Sequence, residues 1–187
     1  MSARGVKFGL ALGLALALAA CGFRPLYGRF SSSPGTIATF AAIYVEPIPD
    51  RVGYELRNSL IDLLDAGGTP VGAQYHLKIT YREKGFPIAV QNQPVPIGAG
   101  KTINEIITTR FNYRLAVAYQ LVNAKNDVIT SGNEDALASY NVTASSAGTY
   151  ATETANLDAQ KRAADDIANR LKLDLALYFA HHPGAAK

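Results

Sequence analysis

The sequence predicts an α+β fold, a two-layer sandwich in which a mainly antiparallel, about four-stranded sheet is covered by two helices. Three observations carry the prediction. From Arg110 onward, Phe111, Tyr113, Leu115, Val117, Tyr119 and Leu121 alternate with Asn112, Arg114, Ala116, Ala118 and Gln120, the period of a strand with one buried face. Two other stretches repeat apolar residues at helical spacing and leave their remaining positions polar. The order is strand, helix, strands, helix, so each one-sided helix can cover a one-sided sheet.

Taken along the chain, Ile43-Tyr44-Val45 is a short β-type run stopped by Pro47 and Pro49. Asp50 can cap a helix whose apolar stripe is Val52, Leu56, Leu60, Leu63 and Leu64, with Gly67-Gly68 ending it. Tyr75, Leu77, Ile79 and Tyr81 alternate with His76, Lys78, Thr80 and Arg82, a second strand with a polar face. Residues 83–104 hold Pro87, Pro94, Pro96, Gly85, Gly98 and Gly100 with little periodicity, and read as a long excursion or an irregular hairpin. Asn123 to Asp127 is a turn, Val128-Ile129 opens a partner strand running to about Tyr140, and Thr143 to Thr149 is a loop. From about Thr152 to Phe179, a stripe of Leu157, Ala164, Ile167, Leu171, Leu175 and Tyr178 predicts a long amphipathic helix.

The beginning of the chain is of another kind. Arg4 and Lys7 precede an uncharged Leu/Ala/Gly run from Phe8 to Ala20, the charged and apolar regions of a secretory signal, too short to serve as a comfortable membrane span. It ends Leu18-Ala19-Ala20-Cys21, which resembles the processing site of bacterial lipoproteins; a plain signal peptide with an incidental cysteine is the other reading. Cys21 is the chain's one cysteine, so no internal disulfide is available in an oxidising compartment, and lipidation would account for an otherwise leftover thiol. Gly22, in place of the Asp that often marks inner-membrane retention, favours the outer membrane by the same resemblance. The expected organisation is a removed signal at 1–20, a lipidated start and tether at 21–39, one domain at 40–180 and a tail at 181–187. Loss of Arg4 and Lys7 takes the net charge from +3 to about +1, so overall charge gives no ground for a nucleic-acid partner.

The search for reactive groups finds little. Gly98-Ala99-Gly100-Lys101-Thr102 looks like half a phosphate-binding P-loop, but Val95, between two prolines, stands where the first glycine belongs. His76 has no second ligand nearby, and His181 and His182 lie beside Pro183 and Gly184 in a terminal setting that suits a solvated tail. Asp165 and Asp166 are helix neighbours that point different ways. No metal site, cofactor or enzymatic activity is expected.

The remaining signal is positive charge. Lys78 and Arg82 share one polar strand face, Arg110 and Arg114 another, Lys84 follows just past the first, and Lys101 lies between. If the strands are neighbours, these side chains converge on a site suited to phosphate, though exposed sheet faces commonly carry charge without binding anything.

Cys21-Gly22-Phe23-Arg24-Pro25-Leu26-Tyr27-Gly28 resembles the start of the lipopolysaccharide-assembly lipoprotein family, LptE, in the branch that begins CGFxPLYG. The stretch Asp50-Arg51-Val52-Gly53-Tyr54-Glu55-Leu56-Arg57-Asn58-Ser59-Leu60 is similar to that family's D-R-x-G-Q-x-L-R-N-x-L, with Tyr54 where Gln is usual. The likeness continues through Tyr113 to Val122, Ser139-Tyr140 and the Ala-rich last helix with Asp158-Ala159. It implies two helices against a four-stranded sheet, a non-enzymatic plug inside the outer-membrane barrel LptD, aid to that barrel's assembly, and contact with lipopolysaccharide. The candidate ligand residues Lys78, Arg82, Lys101, Arg110 and Arg114 come from charge and strand phase. Two other readings stand beside it: an auxiliary lipoprotein of a phospholipid-transport ABC system, which leaves the D-R-x-G-x-x-L-R-N stretch unexplained, and a periplasmic hydrolase, for which no nucleophile is visible.

Overall fold

A computed structural model of the chain describes residues 34–64, 72–142 and 148–182. Cys21, the signal segment, Gly67-Gly68 and residues 183–187 lie outside the described residues. The elements run α1 (Pro34–Ala41), β1 (Ile43–Val45), α2 (Asp50–Leu64), β2 (Tyr75–Gly98), β3 (Lys101–Asn123), β4 (Val128–Asn141) and α3 (Gly148–His181). The sheet has the order β1-β2-β3-β4, with β1 parallel to β2 and the other neighbours antiparallel. The predicted α+β class and the mainly antiparallel four-stranded sheet are what the structure contains. No helix among the described residues is long and apolar enough to cross a membrane.

One sheet face carries the core. Tyr75, Leu77 and Ile79 of β2, Tyr113 to Leu121 at alternate positions of β3, and Ala136 and Ala138 of β4 are buried. Against them lie Val52, Leu56, Leu60 and Leu64 of α2 and Ala159, Ala163, Ala164, Ile167, Ala168, Leu171, Leu175 and Phe179 of α3. Ala159, Ala163, Ala168 and Ala176, which the predicted α3 stripe omitted, are buried; Leu157 and Tyr178, which it included, are half-buried.

The D-R-x-G-x-x-L-R-N stretch is a structural device. Asp50 takes a positive φ of 64° as the chain turns from Pro49 into α2. Gly53 then passes so close to Ile48 that an added Cβ would lie 2.6 Å from its Cγ2 and 2.9 Å from its carbonyl carbon. Leu56 is fully buried, and the next residue, Arg57, donates from Nε to the Val45 carbonyl at 3.1 Å with its guanidinium 6.0 Å from the Tyr44 ring. The motif thus fastens the start of α2 to the end of β1.

One expectation needs correction, and one pair of alternatives is decided. Residues 34–39 are not tether: Pro34 opens α1, a position that suits its missing N–H, and Phe40 is buried edge-on to Phe179 at 6.5 Å between centroids. Of the two readings of residues 83–104, the irregular hairpin is what the structure contains. These residues extend β2 and β3 into one long hairpin, with register shifts at Pro87/Ala89, Ala89/Val90 and Pro96/Gly98 absorbing the prolines and glycine that hid the strand period. Its tip is a two-residue turn in which Ala99 and Gly100 have φ of 47° and 73°, the left-handed pair such turns require. The sequence that resembled half a P-loop is this turn.

Candidate functional site

With both long helices on one side, the opposite sheet face is left uncovered, and the ladder register decides which side chains meet there. β2 contributes His76, Lys78, Thr80, Arg82 and Lys84; β3 contributes Val122, Gln120, Ala118, Ala116, Arg114, Asn112 and Arg110; β4 contributes Ser131, Asn133, Asp135 and Leu137. On the central strand, Ala116 and Ala118 are short, while β2 and β4 flank them with longer polar side chains. The result is a pair of shallow depressions of about 490 and 580 Å³ that share Thr80, Ala118 and Asn133.

The predicted basic residues divide into three places. Arg82 pairs across the ladder with Ala116, next but one to Arg114, and Arg114 stands directly opposite Lys84. Arg110 lies two same-face positions beyond Arg114, past Asn112, about 13 Å along the strand at about 3.3 Å per residue. Arg82, Lys84 and Arg114 are therefore neighbours, and Arg110 continues their row on the same face, about 20 Å along the ladder from Arg82 at about 3.3 Å per residue. Lys78, opposite Gln120, lies back toward the β3–β4 turn, where it donates to Asn126 Oδ1 at 2.6 Å. Lys101 sits at the hairpin tip, roughly 30 Å along β3 from Arg110 at about 3.3 Å per residue, and does not join the group.

Directly opposed like charges repel across a ladder, and the face contains its own relief. Asp135 on β4 accepts from Arg114 Nε at 2.6 Å, and that bond with the carboxylate's charge raises the guanidinium's already high pKa. Arg114 is thereby occupied. Arg82, Lys84 and Arg110 have no hydrogen-bond or ion-pair partner among the described residues, so they are the cations open to an anionic ligand. Lys84 was named in sequence only as lying just past a strand; continuation of β2 through it supplies its position opposite Arg114. The Arg114–Asp135 pairing had no signal in the sequence, since it depends on the β3–β4 register.

The covered side holds a line of buried or half-buried phenols. Tyr113 donates to Glu83 Oε2 at 2.6 Å, and burial, then the Glu83 carboxylate, hold its pKa far above that of an ordinary phenol. Tyr119 donates to Asp174 Oδ2 at 3.2 Å, and burial first, then Asp174, push it up to about 12. Tyr81 reaches the Pro49 carbonyl at 3.2 Å. These bonds tie sheet to helices or strand to strand. No cluster of His, Cys, Asp and Glu suited to a metal occurs among the described residues. Asp165 and Asp166 do point apart: the first accepts from Ser59 at 2.6 Å and Lys161 at 2.9 Å, the second from Arg170 at 2.7 Å. His181 and His182 face backbone carbonyls of Leu177 and Tyr178, at 2.7 and 3.0 Å.

A sheet with one helix-covered face and one open polar face, and with phenols spent on internal bonds, defines a binding or assembly domain. The family it belongs to is the lipopolysaccharide-assembly family LptE, whose model matches residues 40–172 of this chain. That family consists of non-enzymatic accessory proteins of lipopolysaccharide assembly, associated with the cell envelope. Among solved structures, a candidate lipoprotein from Caulobacter crescentus CB15 is 27% identical, with a TM-score of 0.57, over 78% of this chain and 96% of that one. A minor lipoprotein from Acinetobacter baumannii is 16% identical, with a TM-score of 0.44, over 72% of this chain and 88% of that one. None of the curated proteins matches the chain.

Proposed function

We propose that this chain is an outer-membrane lipoprotein, cut before Cys21 and lipidated on it, whose single domain sits within the LptD barrel and aids its assembly. Residues 21–33 serve as the tether and residues 183–187 as a tail. Within the barrel it assists insertion of lipopolysaccharide without catalysing a reaction. The observation that carries this reading is the uncovered sheet face, a broad wet surface that suits the polar interior of a barrel. Arg82, Lys84 and Arg110 on that face offer charge-assisted hydrogen bonds to lipid-borne phosphates.

The partner is tested by isolating the chain from detergent-solubilised outer membrane. A stoichiometric LptD barrel supports the reading, and recovery without one overturns it. The ligand face is tested by charge reversal at Arg82 and Arg110 and, separately, at Arg114. The first should weaken lipopolysaccharide binding at least tenfold with the melting temperature unchanged. The second should weaken it less, because Asp135 already holds Arg114. Binding unchanged in both folded variants removes this face from the proposal.

A further inference from the structure

Past the end of β4, one edge of β3 has no partner among the described residues. β4 pairs β3 from Val122 back to Arg110, and its last hydrogen bond runs from Val142 N–H to the Thr109 carbonyl at 2.9 Å. Among the described residues, β3 from Thr108 to Lys101 is paired with β2 alone, and β2 has no second neighbour there. This part of the hairpin is a two-stranded ribbon, an arrangement only marginally stable in water.

The ribbon is also unusually apolar. Ile88, Val90, Ile97, Ile103 and Ile106 are 45%, 63%, 57%, 50% and 69% exposed. Between Pro87 and Thr109 the charged residues are Lys101 and Glu105. The register puts Val90 and Ile106 on one face and the Val95–Ile103 pair on the other, so a flat apolar surface would cover only half of them. Lipid would cover both faces but would leave the N–H and C=O groups of both edges without partners, at several kcal/mol for each group. An added strand meets the edge groups and continues both faces together.

The two edges are unequal. β2 carries Pro87, Pro94 and Pro96, which lack the donors a ladder needs; β3 carries no proline. We propose that the Lys101–Thr108 edge of β3 is a strand-addition site for an extended, proline-free segment of the barrel partner. The segment lies in line with β4 and continues the ladder that β4 begins. Its side chains are uncharged opposite Thr102, Asn104 and Ile106, and polar or cationic opposite Glu105. This rests on the barrel partnership proposed above.

The test is amide hydrogen exchange on the full lipoprotein alone and in its co-expressed complex with LptD. Strand addition slows exchange at least tenfold within residues 102–108, with the β2 edge at residues 91–95 slowed far less. Equal slowing of both edges means simple enclosure and overturns the proposal, as does a complex in which residues 102–108 exchange as in the free chain. Failure to form any complex overturns the barrel reading and this one with it. Slowing in the isolated chain that grows with concentration, together with a dimer in sedimentation, assigns the edge to a second copy and overturns the assignment to the barrel. As a second arm, Asn104→Pro and Glu105→Pro remove adjacent N–H groups, which point to opposite sides of the strand. One of the two should weaken the complex at least tenfold with the core's melting temperature retained; no loss in either overturns the proposal.

Discussion

Gly132 stands directly across the β3–β4 ladder from Tyr119, and the tyrosine ring lies where its side chain would be. A Cβ at Gly132 would come within 2.8 Å of the ring Cε1 and of the hydroxyl oxygen. The ring, laid over the glycine, brings that hydroxyl to Asp174 on α3. An aromatic covering a cross-strand glycine is a recurrent pairing, and here it also links sheet to helix.

Gly132→Val therefore displaces the ring. The expected loss is about 1–3 kcal/mol from overpacking, with Tyr119→Phe costing about 1 kcal/mol for the hydrogen bond alone. Chemical denaturation of the three proteins checks the order. Alkaline titration supplies a second reading. The folded chain keeps the Tyr119 proton to about 12, while an unfolded tyrosine releases it near 10. Stability thus falls as pH rises from 10 toward 12, and this part of the fall shrinks in the glycine variant as the phenol returns toward its ordinary value.

Gly53→Ala meets Ile48 at side chain and backbone alike, so neither side can yield easily. Overpacking of about 1–3 kcal/mol is expected, seen as a lowered denaturation midpoint with an unchanged slope. A Gly53→Ala, Ile48→Ala double variant should recover part of the loss, because it removes the clashing Cγ2.

Arg57→Ala withdraws the donor that meets the Val45 carbonyl and uncovers the Tyr44 ring. A loss of roughly 1–3 kcal/mol follows from a hydrogen bond to a charged group. Faster exchange of the amides of β1 and its partner stretch in β2, measured by hydrogen exchange, should accompany it, because Arg57 ties α2 to the three-residue edge strand.

Glu134 is raised above its ordinary value by burial first and by its hydrogen bond with Asp174 second, against the pull of Arg170. The folded chain holds this proton more tightly than the unfolded one, so stability falls as pH rises from about 4.5 through the raised value. Glu134→Gln removes that slope and leaves the protein more stable than the parent at pH 7. Melting temperatures across pH 4 to 8 measure it.

The sequence disclosed the covered half of the molecule best, because burial writes a period into it. Alternation from Phe111 to Leu121 placed β3 and its faces, and Val52, Leu56, Leu60 and Leu64 marked the inward side of α2. The distal hairpin stayed one of two readings because both its faces are exposed, so Gln91 to Gln93 and Thr102 to Glu105 show no contrast between inside and outside. Helix α1 escaped because Ser31 to Thr36 reads locally as linker, and its anchor, Phe179, lies at the far end of the chain. The open face was half legible. Charge and phase put Arg82, Arg110 and Arg114 on it, whereas the pairing of Arg114 with Asp135 and the removal of Lys101 to the tip follow from register and hairpin length.

Because β1 runs parallel to β2, the chain enters the domain at the end of the sheet where β2 begins, beside Phe40 and Phe179. The Ala99-Gly100 turn is at the other end of β2, up to roughly 75 Å away along the strand at about 3.3 Å per residue. The molecule is thus polar in a geometric sense, with chain entry and hairpin tip at opposite poles. On the proposed lipid tether, the length of chain upstream of Pro34 sets the height at which the body rides, and the length of the hairpin converts that height into the depth its tip can sample.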